Sequence, residues 1–262
     1  MPMPRSPSGP VRRGDPFAQG LVGWWPLTDG GGSRGFDASG LGNHATLAAG
    51  QSFGLGAGGR ALVFSGNQHA TLPAPIALGA TFSVGFRIRY SAAVAATGYH
   101  SVTVDFTNAF GVYLVGATAA TFGVDVLTAA GEVKTTATFP TGIVYHVVVS
   151  VSAGVIGVFV NGIGPYALTT VSGSATTAGF TLNSFGSDTF NESFNGTIAN
   201  VRAYNRAVGQ AGAQALYVQP WRPGVTAPQR RGVALPAAAS PVRFRRTLSS
   251  MGARAGKRQV IA

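Results

Sequence analysis

The stretch that decides the fold is "GLVGWWPLTDGGGSRGFDASGLGNHATL", residues 20–47. Two adjacent tryptophans sit in a short apolar run, a glycine-rich turn follows, and the segment closes on strand-like residues. No helical period of 3.6 runs through it, whereas short apolar runs broken by Gly, Asn and Ser are the pattern of strands and tight turns. Working outward, the same pattern continues to about Tyr204. "TFSVGFRIRY" (81–90), "HSVTVDF" (100–106), "FGVYLVG" (110–116), "VYHVVVSVS" (144–152) and "VIGVFVNG" (155–162) are rich in Val, Ile, Phe and Tyr. In "HSVTVDF" the spacing predicts Val102, Val104 and Phe106 on one face and Ser101, Thr103 and Asp105 on the other. Many such strands with one plausible helix, "VGQAGAQALYV" (208–218), predict an all-β, two-sheet antiparallel sandwich.

Of the 262 residues, 45% are hydrophobic, enough for a sizeable core, and none is cysteine, so packing alone must hold the fold. The net charge of +11 lies almost entirely at the ends. Residues 1–13 carry three arginines and no acid, residues 222–262 carry nine Lys or Arg and no acid, and the body between them has seven basic and eight acidic side chains. A body with so little charge suits extensive contact with neighbours, since its faces are cheap to desolvate. The expected organisation is an extended basic N-terminal arm (1–19), a sandwich (20–221) and a basic, Pro/Ala/Arg-rich C-terminal arm (222–262) that by composition does not fold in isolation. The N-terminal residues lack the apolar stretch of an export signal, and no apolar run reaches the ~20 residues a membrane span needs.

Six segments, in order, resemble the laminin-G-like branch of the concanavalin A-like lectin and glucanase superfamily. "GLVGWWPLTDGGG" resembles its opening strand and "DASGLGNHATL" (37–47) the segment after it. "GRALVFSGNQHATLP" (59–73) is similar to the next strand pair and "TFSVGFRIR" (81–89) to the central strand. "YHVVVSVSAGVIGVFVNGI" (145–163) resembles the hairpin ending in Val-Asn-Gly, and "FNGTIANVRAYNRAV" (194–208) the closing strand with its Val-Arg-x-Tyr-Asn-Arg signature. The resemblance implies a concanavalin A-like jelly roll. It places Trp24 and Trp25 on the first strand, one facing between the sheets and the other capping an edge, as packing residues rather than a sugar-stacking platform.

Relatives include calcium-assisted sugar binders, so departures count. Ala199 and Asn200 stand where many relatives carry an acidic pair, and Asp29, Asp37 and Asn43 lie in Gly-rich turns where such side chains usually serve the backbone. No metal or cofactor is expected. The glucanase members need a Glu-x-Asp-x-x-Glu strand that is missing here; Asp188 and Glu192 are the nearest acidic pair, and His44, His69, His100 and His146 are scattered. Catalysis is not expected. "GLGAGG" (54–59) precedes a strand, not the helix N-terminus that phosphate binding needs; "RGD" (13–15) is a three-residue coincidence, and the acceptor-like Asn191 and Asn195 read as loop and turn.

Arg230, Arg231, Arg243, Arg245, Arg246, Arg254, Lys257 and Arg258 are the candidate partner-binding residues. With Phe244 as the tail's one aromatic, base stacking is poorly provided and nucleic acid is not the expected partner, whereas arginines among prolines suit an arm lying on protein. "ALYVQPWRP" (215–223) resembles the ending of laminin-G-like domains in tailed-phage structural proteins. The leading expectation is therefore a virion component, a capsid decoration or cement protein whose partners are the major capsid protein and further copies of itself. The alternative is a carbohydrate- or receptor-binding module of a phage tail or secreted bacterial protein, its partner a host-surface glycan. Neither needs a membrane.

Overall fold

A computed structural model describes residues 11, 14–56, 59–65, 68–91, 99–105, 110–118, 120–128, 131–170, 180–185 and 194–221. Among these are seventeen strands and one helix. In chain order they are β1 (Leu21–Trp25), β2 (Arg34–Gly35), β3 (Ala45–Leu47), β4 (Ser52–Gly56), β5 (Gly59–Phe64), β6 (Ala70–Gly79), β7 (Phe82–Tyr90), β8 (Tyr99–Asp105) and β9 (Phe110–Thr118). They continue as β10 (Thr121–Thr128), β11 (Gly131–Lys134), β12 (Phe139–Pro140), β13 (Val144–Ser152), β14 (Val155–Val160), β15 (Ile163–Thr170), β16 (Phe180–Phe185), β17 (Gly196–Tyr204) and α1 (Gly209–Val218). One sheet has eight strands in the order β15-β14-β13-β7-β17-β5-β4, with β1 beside β17. β5 and β1 share one edge of β17 end to end, pairing with Gly196–Ile198 and Val201–Tyr204. The other sheet has nine strands, β11-β10-β9-β8-β16-β6-β3-β2, with β12 beside β10. All pairings are antiparallel, the sandwich expected from the sequence.

Period-two patterning makes the layers. On β7, Phe82, Val84, Phe86, Ile88 and Tyr90 enter the core between the sheets, and on β13 so do Tyr145, Val147, Val149 and Val151. Two-residue turns close the next hairpins: Ala153-Gly154 (φ 50° and 79°) joins β13 to β14, and Asn161-Gly162 (φ 52° and 75°) joins β14 to β15. Positive φ at both central residues is the twist-matched hairpin turn. At Gly162 a side chain is also sterically excluded, since a Cβ would sit 2.7 Å from Gln214 Cα of α1. In β8 the ladder to β9 shifts register between Ser101 and Thr103, and Phe106 of "HSVTVDF" lies outside the described residues.

The tryptophans point to opposite faces of β1. Trp25 lies between the sheets, 5.0 Å from the Phe185 ring, with its indole N–H donated to Asn43 O at 2.7 Å. Gly23 makes room for it, as a Cβ there would fall 2.1 Å from the Trp25 ring. Trp24 is equally buried but does not cap an edge as expected: it packs on the outer face of the eight-stranded sheet with Leu21, Tyr204, and Ala213 and Leu216 of α1. The physical reason is a second apolar layer. α1 covers this face, so a side chain that strand geometry turns away from the inter-sheet core still escapes water.

The turn after α1 is latched over the same layer. Asn200, at φ 52° in the bulge of β17, accepts the Trp24 indole N–H at 2.7 Å and donates to Pro220 O at 2.7 Å, and Arg202 also donates to Pro220 O. The Arg202 guanidinium lies 4.8 Å over the Trp24 ring. At the other end, contact begins before residue 20: Phe17 packs on this second layer, and Arg206 donates to Gln19 O (2.7 Å) and Pro16 O (2.9 Å).

Candidate functional site

The turn residues that could have bound calcium serve the fold. Asp37 Oδ1 accepts from the Trp24 and Ser39 amides (3.0 and 2.8 Å), and Oδ2 from the Ser39 hydroxyl and the Asn43 amide (2.8 and 3.0 Å). Both oxygens are thus committed to the loop "DASGLGN". Asn43 donates to Val22 O, and Asp29 accepts from the Phe36 amide while burial raises its carboxyl above the usual range. Among the described residues no three His, Asp or Glu side chains cluster as metal ligands.

The histidines stay apart. His44 Nδ1 accepts from the Asp37 amide, and His100 is buried beside the Tyr90 ring (5.3 Å). His146 lies beneath α1, stacked on Tyr217 at 6.3 Å. Burial first, then the charges of Arg202 and Arg87, holds its imidazole down to about 3, so it is neutral at every physiological pH. Asp188 and Glu192, Asn191, and the eight basic residues of the C-terminal arm lie outside the described residues. Asn195 precedes Gly196 of β17, and its carbonyl accepts from Ser91 N.

The chemistry instead gathers on the outer face of the nine-stranded sheet. On β10, Phe122, Val124 and Val126 enter the core, so Gly123, Asp125 and Leu127 face away. Antiparallel pairing sets Asp125 opposite Lys134 on β11 and opposite Tyr113 on β9, with Glu132 diagonal to it on the same face. Lys134 Nζ is 2.9 Å from Glu132 Oε1 and 3.8 Å from Asp125 Oδ2. Lys134 is half exposed, but Asp125 is only 1% exposed. Neither Asp125 oxygen has a donor of standard hydrogen-bond geometry among the described residues. The carboxyl is pushed up to about 8, by burial first and then by the neighbouring Glu132 carboxyl, against the opposing pull of Lys134 and the Val126 amide. At neutral pH this favours the protonated form of Asp125.

This group opens on a cavity of about 150 Å³ lined by Val115, Gly123, Val124, Asp125, Lys134 and Thr135, with Thr138 at its rim. Thr135 Oγ1 is already used, accepting from Val124 N and donating to Ala137 O. Asp125 is thus the unsatisfied polar group in an otherwise mostly apolar recess, and a recess of this volume accommodates one six-membered ring. Gly123 keeps it open: its missing side chain points to the same face, where a Cβ would meet only Thr135 Oγ1 at 3.4 Å.

Nothing in the reading of composition or motif singled out Asp125, Glu132 or Lys134. The available signal was local: an acid between two valines of a strand pattern, with a glutamate and a lysine two residues apart just downstream in "VDVLTAAGEVK" (124–134).

A sequence profile described as the Concanavalin A-like lectin/glucanases superfamily matches residues 64–213, more than half of the chain. The chain belongs to that superfamily, in its laminin G-like branch. The match begins after the tryptophan strand, which the structure nevertheless builds into the sandwich as β1. No curated protein sequence matches.

Solved structures share the superfamily fold. Domain 4 of an extracellular arabinanase from Geobacillus stearothermophilus, in complex with arabinotriose, is 18% identical with a TM-score of 0.58, over 75% of this chain and 98% of that one. The binding domain of Paraclostridial Mosquitocidal Protein 1 is 13% identical with a TM-score of 0.60, over 78% of this chain and 53% of that one. The Trypanosoma rangeli sialidase in complex with sialic acid is 18% identical with a TM-score of 0.57, over 77% of this chain and a third (33%) of that one. At these identities the likeness is one of fold.

Proposed function

We propose that the sandwich is a non-catalytic binding module whose ligand site is the Asp125 cavity on the outer face of the nine-stranded sheet. One observation carries this: a buried carboxyl, without a donor of standard hydrogen-bond geometry among the described residues, in the lining of a ring-sized recess. Burying a polar group without a partner costs about 1–3 kcal/mol, a deficit that a hydroxyl- or amine-bearing ligand repays on entry. The walls formed by Val115, Val124 and bare Gly123 suit the apolar face of a sugar ring. The arabinotriose-bound relative and the toxin binding domain lend the same reading support from the fold.

A binding role is favoured over hydrolysis because Asp125 and Glu132 are both held against the one Lys134 ammonium (3.8 and 2.9 Å), whereas a retaining glycosidase holds its carboxyls about 5 Å apart to straddle the bond it breaks. The test is a screen of the protein against immobilised glycans, repeated with Asp125→Ala. Loss of the wild-type signal in a variant that melts normally supports the reading, and an unchanged signal refutes it.

A second reading rests on the partition of charge. With the body nearly neutral and the ends strongly basic, we read the C-terminal arm, Arg230 to Arg258, as the segment that fixes the module to an acidic protein surface, with a tailed-phage virion as the expected carrier. Deleting 222–262 separates the two roles: attachment is lost while glycan binding persists.

A further inference from the structure

The charge count of the cavity is uneven. Facing Asp125 are Glu132 and Lys134 from β11 and the Tyr113 phenol from β9, so among the described residues two carboxyls meet one ammonium. The ammonium is committed to the outer carboxyl, 2.9 Å from Glu132 against 3.8 Å from Asp125. The inner carboxyl is left without a close cation, 3.8 Å from the ammonium it faces.

Resting on the reading of this cavity as the module's ligand site, we propose that its preferred ligand is a single-ring amino sugar, whose protonated amine enters beside Asp125. Three observations select this class. The recess has the volume of one ring, which excludes bulky or multi-ring ends. Glu132 beside the recess repels a ligand carboxylate, and the Lys134 ammonium in its lining is already paired with Glu132 at 2.9 Å, so an acidic sugar is disfavoured. A second ammonium also balances the count, giving two carboxylates and two cations, whereas a neutral hydroxyl leaves the proton where it is. Binding is then proton-linked: the incoming ammonium lowers the affinity of Asp125 for its proton, which leaves to solvent. The sandwich remains intact, since no group on its core face takes part.

The experiment titrates 2-amino-2-deoxyglucose and, separately, glucose into the full chain at pH 6.5. Calorimetry is run in phosphate and in Tris, whose ionisation enthalpies differ, and the amide resonances of residues 123–125 and 134 are followed. The expected result is binding of the amino sugar at least about tenfold tighter than glucose, with about one proton released per site. Asp125→Asn keeps the shape and removes the charge; it should fold, bind both sugars equally and release no proton. Gly123→Val, which fills the recess, should bind neither. Equal affinity of the wild type for both sugars, or amino-sugar binding without proton release, overturns the inference while leaving the cavity as the ligand site. If neither sugar moves those resonances while a glycan found by screening perturbs another face, the inference and the site it rests on both fall.

Discussion

Replacing Asn200 with alanine tests the latch that ties the two ends of the domain together. The substitution removes the acceptor of the buried Trp24 indole N–H and the donor to Pro220 O, both at 2.7 Å. An orphaned buried donor costs about 1–3 kcal/mol. Alanine at φ 52° adds about 1 kcal/mol, because asparagine tolerates the left-handed region and alanine does not. The total is about 2–4 kcal/mol. For a domain of this size each kcal/mol moves the melting temperature by about 2–4 °C, so a fall on the order of 5–15 °C is expected. Differential scanning calorimetry measures it, and near-ultraviolet circular dichroism reports whether Trp24 has lost its fixed environment. Asn200→Gly is the control: it removes the same two hydrogen bonds but accepts φ 52° without strain, and should fall between wild type and alanine. A melting temperature within 1–2 °C of wild type for Asn200→Ala would refute the reasoning that this bulge holds Trp24 and the terminal turn.

Other outcomes follow from the same structure. Trp25→Ala should destabilise by about 3–5 kcal/mol in chemical denaturation, because the ring is fully buried between the sheets. Acid should weaken the fold through His146: the unfolded imidazole takes up its proton near 6.5 while the native one resists until about 3, so this contribution is complete above pH 6.5 and is lost as pH falls towards 3. The loss is about 2 kcal/mol by pH 5 and should shrink in His146→Gln, as denaturation at pH 7 and pH 5 will show. A chain trimmed to residues 14–221 should melt cooperatively, since it retains both apolar layers and the contacts of residues 16–19 with Arg206.

How much of this was legible depended on how regular each strand is. β7, β13 and β14 announce themselves because uninterrupted alternation of Val, Ile and Phe has no helical reading, and α1 stands out as the one segment without that pattern. β10 and β11 were not singled out even though Phe122, Val124 and Val126 alternate, because nothing in Gly123 or Asp125 on the outward face marks a site before the strands are paired. The reading of Trp24 as an edge cap failed for a different reason. Strand periodicity says that neighbours face opposite ways, but not that the outer face will be roofed by a helix nearly two hundred residues later. The Asp125, Glu132 and Lys134 group is a product of cross-strand register, and composition carries no record of register. Asp37, by contrast, was placed correctly from its Gly-rich surroundings as a backbone partner.

The most direct test of the Asp125 cavity as the ligand site is a binding isotherm for the tightest glycan found by screening, measured side by side on wild type and Gly123→Val. Gly123 has ordinary strand φ and only Thr135 Oγ1 near its absent side chain, so valine should fit the sheet and leave the melting temperature unchanged. The account predicts that affinity falls by more than about tenfold, because valine occupies the space the ring needs. An unchanged dissociation constant in the folded variant would contradict it and move the site to another face of the sandwich.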